Sequence, residues 1–244
     1  MMKASRALVI SLLCLGALGA AGAASAKERP QIAEDIAKTY GLDSFDQIEA
    51  IRYTFNVESG SRNVHRTWQW EPKANRVSYD GKDKAGNPLK VTYVRSQVGS
   101  QAAVVKDEVD PAFVNDQYWL LFPLHLSWDS AAKVEDAGTR KLPLGKGGSA
   151  RDVVVKYPSE GGYTPGDTWE LFVVGDNRIK ELIYRRGGST KPSVVVASWA
   201  DYKKAGPLLI ALDHRGTADG KPVRIFFSDV SVKLAGSDTW LKAK

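Results

Sequence analysis

From Ile48 onward the chain alternates. In IRYTFNV (51–57), Ile51, Tyr53, Phe55 and Val57 fall on one side, with Arg52, Thr54 and Asn56 on the other. That period of two predicts a half-buried antiparallel strand. SGSRN turns it into a second strand over 64–70, where Val64, Arg66, Trp68 and Trp70 share a face, and Pro72 ends it. RVSY (76–79) opens a third strand, GKDKAGN (81–87) reads as a hairpin tip, and LKVTYVR alternates again through Leu89, Val91 and Tyr93. Further strands are predicted over 153–157, 168–174, 179–186, 193–200, 208–214 and 223–232, divided by Gly, Pro, Asn and Asp. GDN (175–177) and ADG (218–220) suit tight hairpins. Many short strands with tight turns predict one strongly curved antiparallel sheet, a sandwich or a barrel.

Two segments depart from this period. QIAEDIAKTY (31–40) places Ile32, Ala33, Ile36, Ala37 and Tyr40 at helical spacing, with Gly41 as its stop. NDQYWLLFPLHLSWD (115–129) is almost continuously apolar. Its core, 112–126, reads as a helix buried on most sides, begun by Asp110 as cap and Pro111 in the first turn and broken near Pro123. It is too short to span a bilayer, which takes about 20 apolar residues. One apolar sheet face needs a cover, and these two helices are available for it. The central segment is then either a fixed core helix or a plug lining a hydrophobic cavity.

The first residues speak to destination. Lys3 and Arg6 precede an apolar run, Ala7–Gly19, and Ala24-Ser25-Ala26 follows, the layout of a signal peptide over 1–26. Cys14 lies inside the apolar run behind Leu12-Leu13, unlike a lipidated cysteine. Residues 27–244 read as a single exported β domain with 32 Lys and Arg against 28 Asp and Glu, and with neither Cys nor Met. Thiol nucleophiles, Cys–zinc sites and disulfides are thereby excluded. The basic residues form no cluster longer than Arg185-Arg186 and Lys203-Lys204, so no nucleic-acid footprint is expected.

Chemistry is sparse. His65, His125 and His214 lack the spacing of metal ligands, and no metal or other cofactor is expected. Asp213 and His214, adjacent on a strand, point to opposite faces and form no dyad. LGKGGS (144–149) lacks phosphate-loop spacing and reads as a flexible turn. No nucleophile elbow is present, so no catalytic residue is assigned and the protein is not expected to be an enzyme. The candidate site is an apolar one: Trp68, Trp70, Tyr118, Trp119, Leu121 and Phe122 either line a cavity or fill a core. Arg66, on the strand face of the two tryptophans, either snorkels at the sheet rim or offers a cation to a polar head group.

This order of elements, helix, strands, central apolar helix, strand meander, resembles the LolA-like family of periplasmic lipoprotein carriers. TWQWEPKANRVSYD (67–80) is similar to the family's second-to-third strand turn. GDTWELFVVGDNRIKELIYRR (166–186) is similar to its later hairpin, and SWADYKKAGPLLIALDH (198–214) to its closing strands. The resemblance implies a half-open, strongly curved antiparallel barrel with a helical lid, and binding of a lipid or acylated molecule between the two. It also implies a periplasmic monomer with a transient membrane-protein partner in the envelope. In the carriers an arginine that serves lipoprotein retention and release precedes the proline. Here Glu71 precedes Pro72, which points to a relative rather than the carrier itself. The alternative is an envelope structural or protein-interaction domain with a filled core.

Overall fold

A computed structural model describes residues 29–60, 62–187 and 193–244; the signal peptide read over 1–26 lies outside them. Helix α1 (Gln31–Thr39) buries Ile32, Ala33, Ile36 and Ala37, the stripe its spacing predicts. After a 3₁₀ turn (Leu42–Gln47) come four strands: β1 (Ile48–Ser59), β2 (Arg62–Glu71), β3 (Arg76–Lys82) and β4 (Pro88–Val94). A 3₁₀ turn (Arg95–Ser100) and a π-turn (Val105–Val109) lead into α2 (Asp110–Trp128). The second half contributes β5 (Lys133–Lys141), β6 (Ser149–Lys156), β7 (Thr168–Val173), β8 (Ile179–Arg185) and β9 (Val194–Ser198). It continues with β10 (Ala200–Ala205), β11 (Leu208–Ala218), β12 (Lys221–Leu234) and β13 (Trp240–Lys242).

Among the described residues these 13 strands form one antiparallel sheet in the order β4-β3-β2-β1-β12-β11-β9-β8-β7-β6-β5, with β10 on β11 and β13 on β12. The sheet does not close: β4 and β5 are free edges. Two meanders, each with neighbours adjacent in sequence or nearly so, join at one seam where β1 pairs β12, Phe55 facing Phe227. The chain travels from edge β4 to edge β5 by way of α2. Side chains of α2 meet β2, β4, β7, β8 and β11 at once, through pairs such as Phe113–Trp68, Asp110–Tyr93, Phe122–Trp169, Trp119–Tyr184 and Trp119–His214. From β4 to β7 a flat sheet would measure about 38 Å at 4.8 Å per strand, far wider than the ~10 Å of a helix. The sheet is therefore strongly curved around α2, the half-open arrangement expected. The ADG hairpin is also as expected: Asp219 (φ 50°) and Gly220 (φ 77°) take the two left-handed positions of the turn between β11 and β12.

Three sequence expectations need correction. First, α2 does not begin with Asp110 as its cap: the backbone is already helical at Val109, and the Asp110 side chain is fully buried. Second, α2 runs to Trp128 rather than stopping at 126; the break expected near Pro123 is present as a kink at Leu121 (φ −122°, ψ 19°), two residues before the proline. Burial on every side holds the helix together where propensity alone would break it. Third, residues 133–141 form β5, 193–200 divides at Trp199 into β9 and the start of β10, and β13 adds a short edge.

Candidate functional site

The interior is built on α2. Phe122 has no exposure and stacks on Trp169 at 4.0 Å between ring centroids. Leu121 and Trp119 are buried beside it, and Trp68 is buried against Phe113 and Tyr79. Trp70, half-buried, meets Phe113, Phe45 and Trp128. Of the six aromatic and aliphatic residues singled out from sequence, Tyr118 and Trp119 line the cleft described below; Trp68, Leu121 and Phe122 are buried in the interior, and Trp70 packs half-buried against it. Arg66 is spoken for. Its guanidinium donates to both oxygens of Asp116 (2.7 and 2.5 Å), which also accepts the Trp68 indole N–H at 2.9 Å. Glu71 pairs with Arg76 and takes the Gln69 amide at 3.1 Å.

His214 lies deep in this interior, ringed by Trp199 (4.1 Å), Trp119 and Phe227. Pro123 has no N–H for the Trp119 carbonyl four residues back, and the backbone of Trp119 lies beside the imidazole. Neither ring nitrogen closes a full hydrogen bond. Burial dominates and pulls the His214 pKa down to about 4. The unfolded chain therefore holds a proton there up to pH 6.5 that the folded chain releases above pH 4, and stability rises with pH between those values. The gain is about 3 kcal/mol. Urea unfolding across pH 4–7 measures it, and His214→Phe is expected to flatten that part of the profile.

The opening lies along α2. A cleft of about 550 Å³ runs between α2, the strands β7 and β8, and the loop 157–167 that joins β6 to β7. Its apolar side is Trp119, Trp169, Tyr184 and Val114; its polar side is Asn115, Tyr118, Thr164, Asp167 and Arg186. Arg186 is exposed and enters no ion pair among the described residues, and the Trp169 indole N–H has no partner. A second cleft of about 410 Å³ opens on the other side of the same loop, beside Trp128, Asp129 and Tyr157.

Loop 157–167 is fastened at both ends of α2. Tyr157 donates to Asp129 at 2.7 Å, alongside Tyr118 (2.7 Å) and His125 (3.0 Å). Burial opposes ionisation of Asp129, yet the bonds from His125, Tyr118 and Tyr157 outweigh it and hold the carboxyl below its usual value. That fastening is complete above the ordinary carboxylate range and is lost as pH falls through the lowered value. At the other end Tyr163 donates to Asp110, which also accepts Tyr93 (2.8 Å) and Arg95 (2.9 Å) from the β4 edge. Between the two fastenings Gly161 and Gly162 adopt positive φ. At the loop's base Gly187 approaches Gly166 so closely that a Cβ on it would stand 2.1 Å from the Gly166 carbonyl carbon.

Tyr163, nearly half exposed, is thus a latch. Tyr163→Phe is expected to cost only about 1–2 kcal/mol but to raise amide exchange across 158–166 at least tenfold. Unchanged exchange would show that the hydroxyl does not hold the loop.

Sequence reasoning missed Asp110, Asp116, Asp129, Tyr157, Tyr163, Trp169, Tyr184 and Arg186. A carboxylate in a helix read as buried on most sides, as at Asp116, was the available signal: burial demands a partner, and Arg66 is the cation on the facing strand.

No helix among the described residues is long and apolar enough to cross a membrane. No protein-family model matches the chain, and no curated protein matches it by sequence. Solved structures similar to it include a DUF1329 family protein from Desulfovibrio piger ATCC 29098, at 8% identity over 86% of this chain and 95% of that one, TM-score 0.46. A LolA superfamily protein from Nitrosomonas europaea matches at 8% identity over 82% and 93%, TM-score 0.45. The lipoprotein LppX of Mycobacterium tuberculosis matches at 10% identity over 82% and 95%, TM-score 0.29. The open antiparallel sheet curved around a central helix is the half-open architecture expected from the sequence.

Proposed function

We propose that this protein is an exported, periplasmic binder of an amphiphile, a lipid or acylated molecule, held without covalent chemistry in the cleft beside α2. The cleft itself is the observation that carries this reading: about 550 Å³, within the range of small-molecule sites, with aromatic rings on one side and polar groups on the other. An acyl chain laid against Trp119, Trp169 and Tyr184 gains about 0.8 kcal/mol per CH₂ removed from water. Arg186, rather than Arg66, supplies the cation for an anionic head group, because the charge of Arg66 is already met by Asp116. Opening of loop 157–167 admits the ligand, and its return retains it.

Titration with the fluorescent apolar probe 1-N-phenylnaphthylamine and with dodecyl phosphate tests this. Asn115, exposed on the cleft wall, can be replaced by a side chain that fills the space: Asn115→Trp is expected to weaken both ligands at least tenfold while lowering the melting temperature by a few degrees. Arg186→Glu is expected to weaken dodecyl phosphate at least fivefold and leave the neutral probe unchanged. Undiminished binding to Asn115→Trp would sink the cleft as the site. The second reading, a structural or protein-interaction domain, is favoured by the filled interior around Phe122 and Leu121, and it is the one left standing if the wild-type protein binds neither compound.

A further inference from the structure

On the far side of α2 the sheet forks. The β2–β3 ladder stops at Thr67 facing Asp80, whereas the β1–β2 ladder continues to Ser59 facing Arg62. Residues Asn63–Arg66 are therefore paired with β1 on one side, and among the described residues no strand pairs with them on the other. The end of β3 stays with β4, Gly81 facing Leu89 and Lys82 facing Pro88, and leaves β2. The gap is a slot of about 590 Å³ between 63–67 and 79–84, and it continues into a space of about 400 Å³ beside Glu108, Val109 and Ala112.

The slot is held open by design of the hairpin. Tyr79 curls beneath its own strand, its hydroxyl donating to the Lys82 carbonyl (2.8 Å) and accepting the Lys82 N–H (3.0 Å). Those bonds satisfy backbone groups just where the strand leaves the ladder. A Cβ at position 81 would stand 2.3 Å from the Tyr79 oxygen, so the glycine is what lets the ring lie there. Farther along, the Lys84 N–H donates to Glu108 (2.9 Å) and pins the hairpin to the π-turn before α2.

We infer that this slot docks an extended segment of a partner protein, which adds as a strand to the unpaired side of Asn63–Arg66 and carries acidic side chains. An unpaired strand edge offers alternate N–H and C=O groups to any extended chain, and four residues present about 13 Å of it. The choice of acidic side chains follows from which charges are already used. Asp80 is paired with Lys90 (2.8 Å) and Arg66 with Asp116, while the carboxylates of Asp83 and Glu108 keep their charge but are turned onto neutral donors, Asn87 (2.8 and 3.0 Å) and the Lys84 backbone N–H (2.9 Å). Lys82 and Lys84 are exposed at the slot, and neither has a carboxylate partner among the described residues, the Lys84 ammonium donating only to the Asp107 carbonyl at 3.4 Å. This inference is independent of the cleft that carries the proposed function.

The probe is a bead-displayed library of random acetylated hexapeptides, screened with the whole exported chain. Retained peptides are expected to be rich in β-branched residues with Asp or Glu, and to slow amide exchange within 63–66. They should lose at least tenfold in affinity when alternate backbone amides are N-methylated, and again on the surface double variant Lys82→Glu/Lys84→Glu. Retention of no peptide overturns the proposal. So does equal affinity for N-methylated peptides, or protection that falls beside Tyr118 instead.

Discussion

Replacing Asp116 by alanine lowers the unfolding free energy by about 3–5 kcal/mol, the expected cost of leaving one member of a buried ion pair alone. The Asp116 side chain is fully buried and that of Arg66 is about one-fifth exposed, so solvent screens the survivor poorly. Burial itself pushes the Asp116 carboxyl up from its ordinary value, and the Arg66 charge and hydrogen bonds oppose that. Alanine also strips the Trp68 indole N–H of its acceptor, a further penalty on a residue that is almost completely buried. Because desolvation offsets much of what the pair contributes, the double variant Arg66→Met/Asp116→Leu should recover more than half of the loss. Urea denaturation of the two variants measures both quantities. A loss below 1 kcal/mol for Asp116→Ala would mean that water reaches the site.

Phe122→Ala is expected to cost about 3–5 kcal/mol as well, by a different route. Phe122 has no exposure, lies nearly parallel to Trp169 with 22° between ring planes, and sits one residue from the kink at Leu121. Removing its ring opens a void between α2 and β7, and the kinked helix has no propensity to spare on either side of Pro123. Phe122 does not line the cleft, so affinity for 1-N-phenylnaphthylamine should fall less than twofold at temperatures where the variant stays folded. A variant with wild-type melting temperature and abolished binding would instead make this side chain part of a ligand site.

Much of the fold was legible because its strands have one apolar face and its helices carry the other signal. Ile51, Tyr53 and Phe55 declare β1, and Ile32 with Ile36 declares α1. β5 was illegible for a physical reason. It is a free edge whose residues are largely exposed, and an irregularity between Asp136 and Thr139 breaks the period of two, so KVEDAGTRK reads as a polar connection. Asp110 misled because an aspartate before Pro111 looks the same whether it caps a helix or sits buried beneath Tyr93, Arg95 and Tyr163; only packing tells the two apart. The cleft was half legible. Tyr118 and Trp119 stand out in an apolar run, but Arg186, Asp167 and Tyr163 reach it from loops and strand ends tens of residues away.

The seam between β1 and β12 sets the order in which the molecule can assemble. Phe55 and Phe227, partners across it, are 172 residues apart. Each meander forms from contacts between neighbours in sequence, whereas the seam must close a very long loop before it returns anything, which makes it a late and slow event in folding. A chain emerging N-terminus first holds β1 with one unpaired side until β12, its last long strand, has followed. Until then the N-terminal meander offers an aggregation-prone edge bearing the register of Tyr53 and Phe55, and a factor that shields that edge during emergence would raise the yield of folded protein.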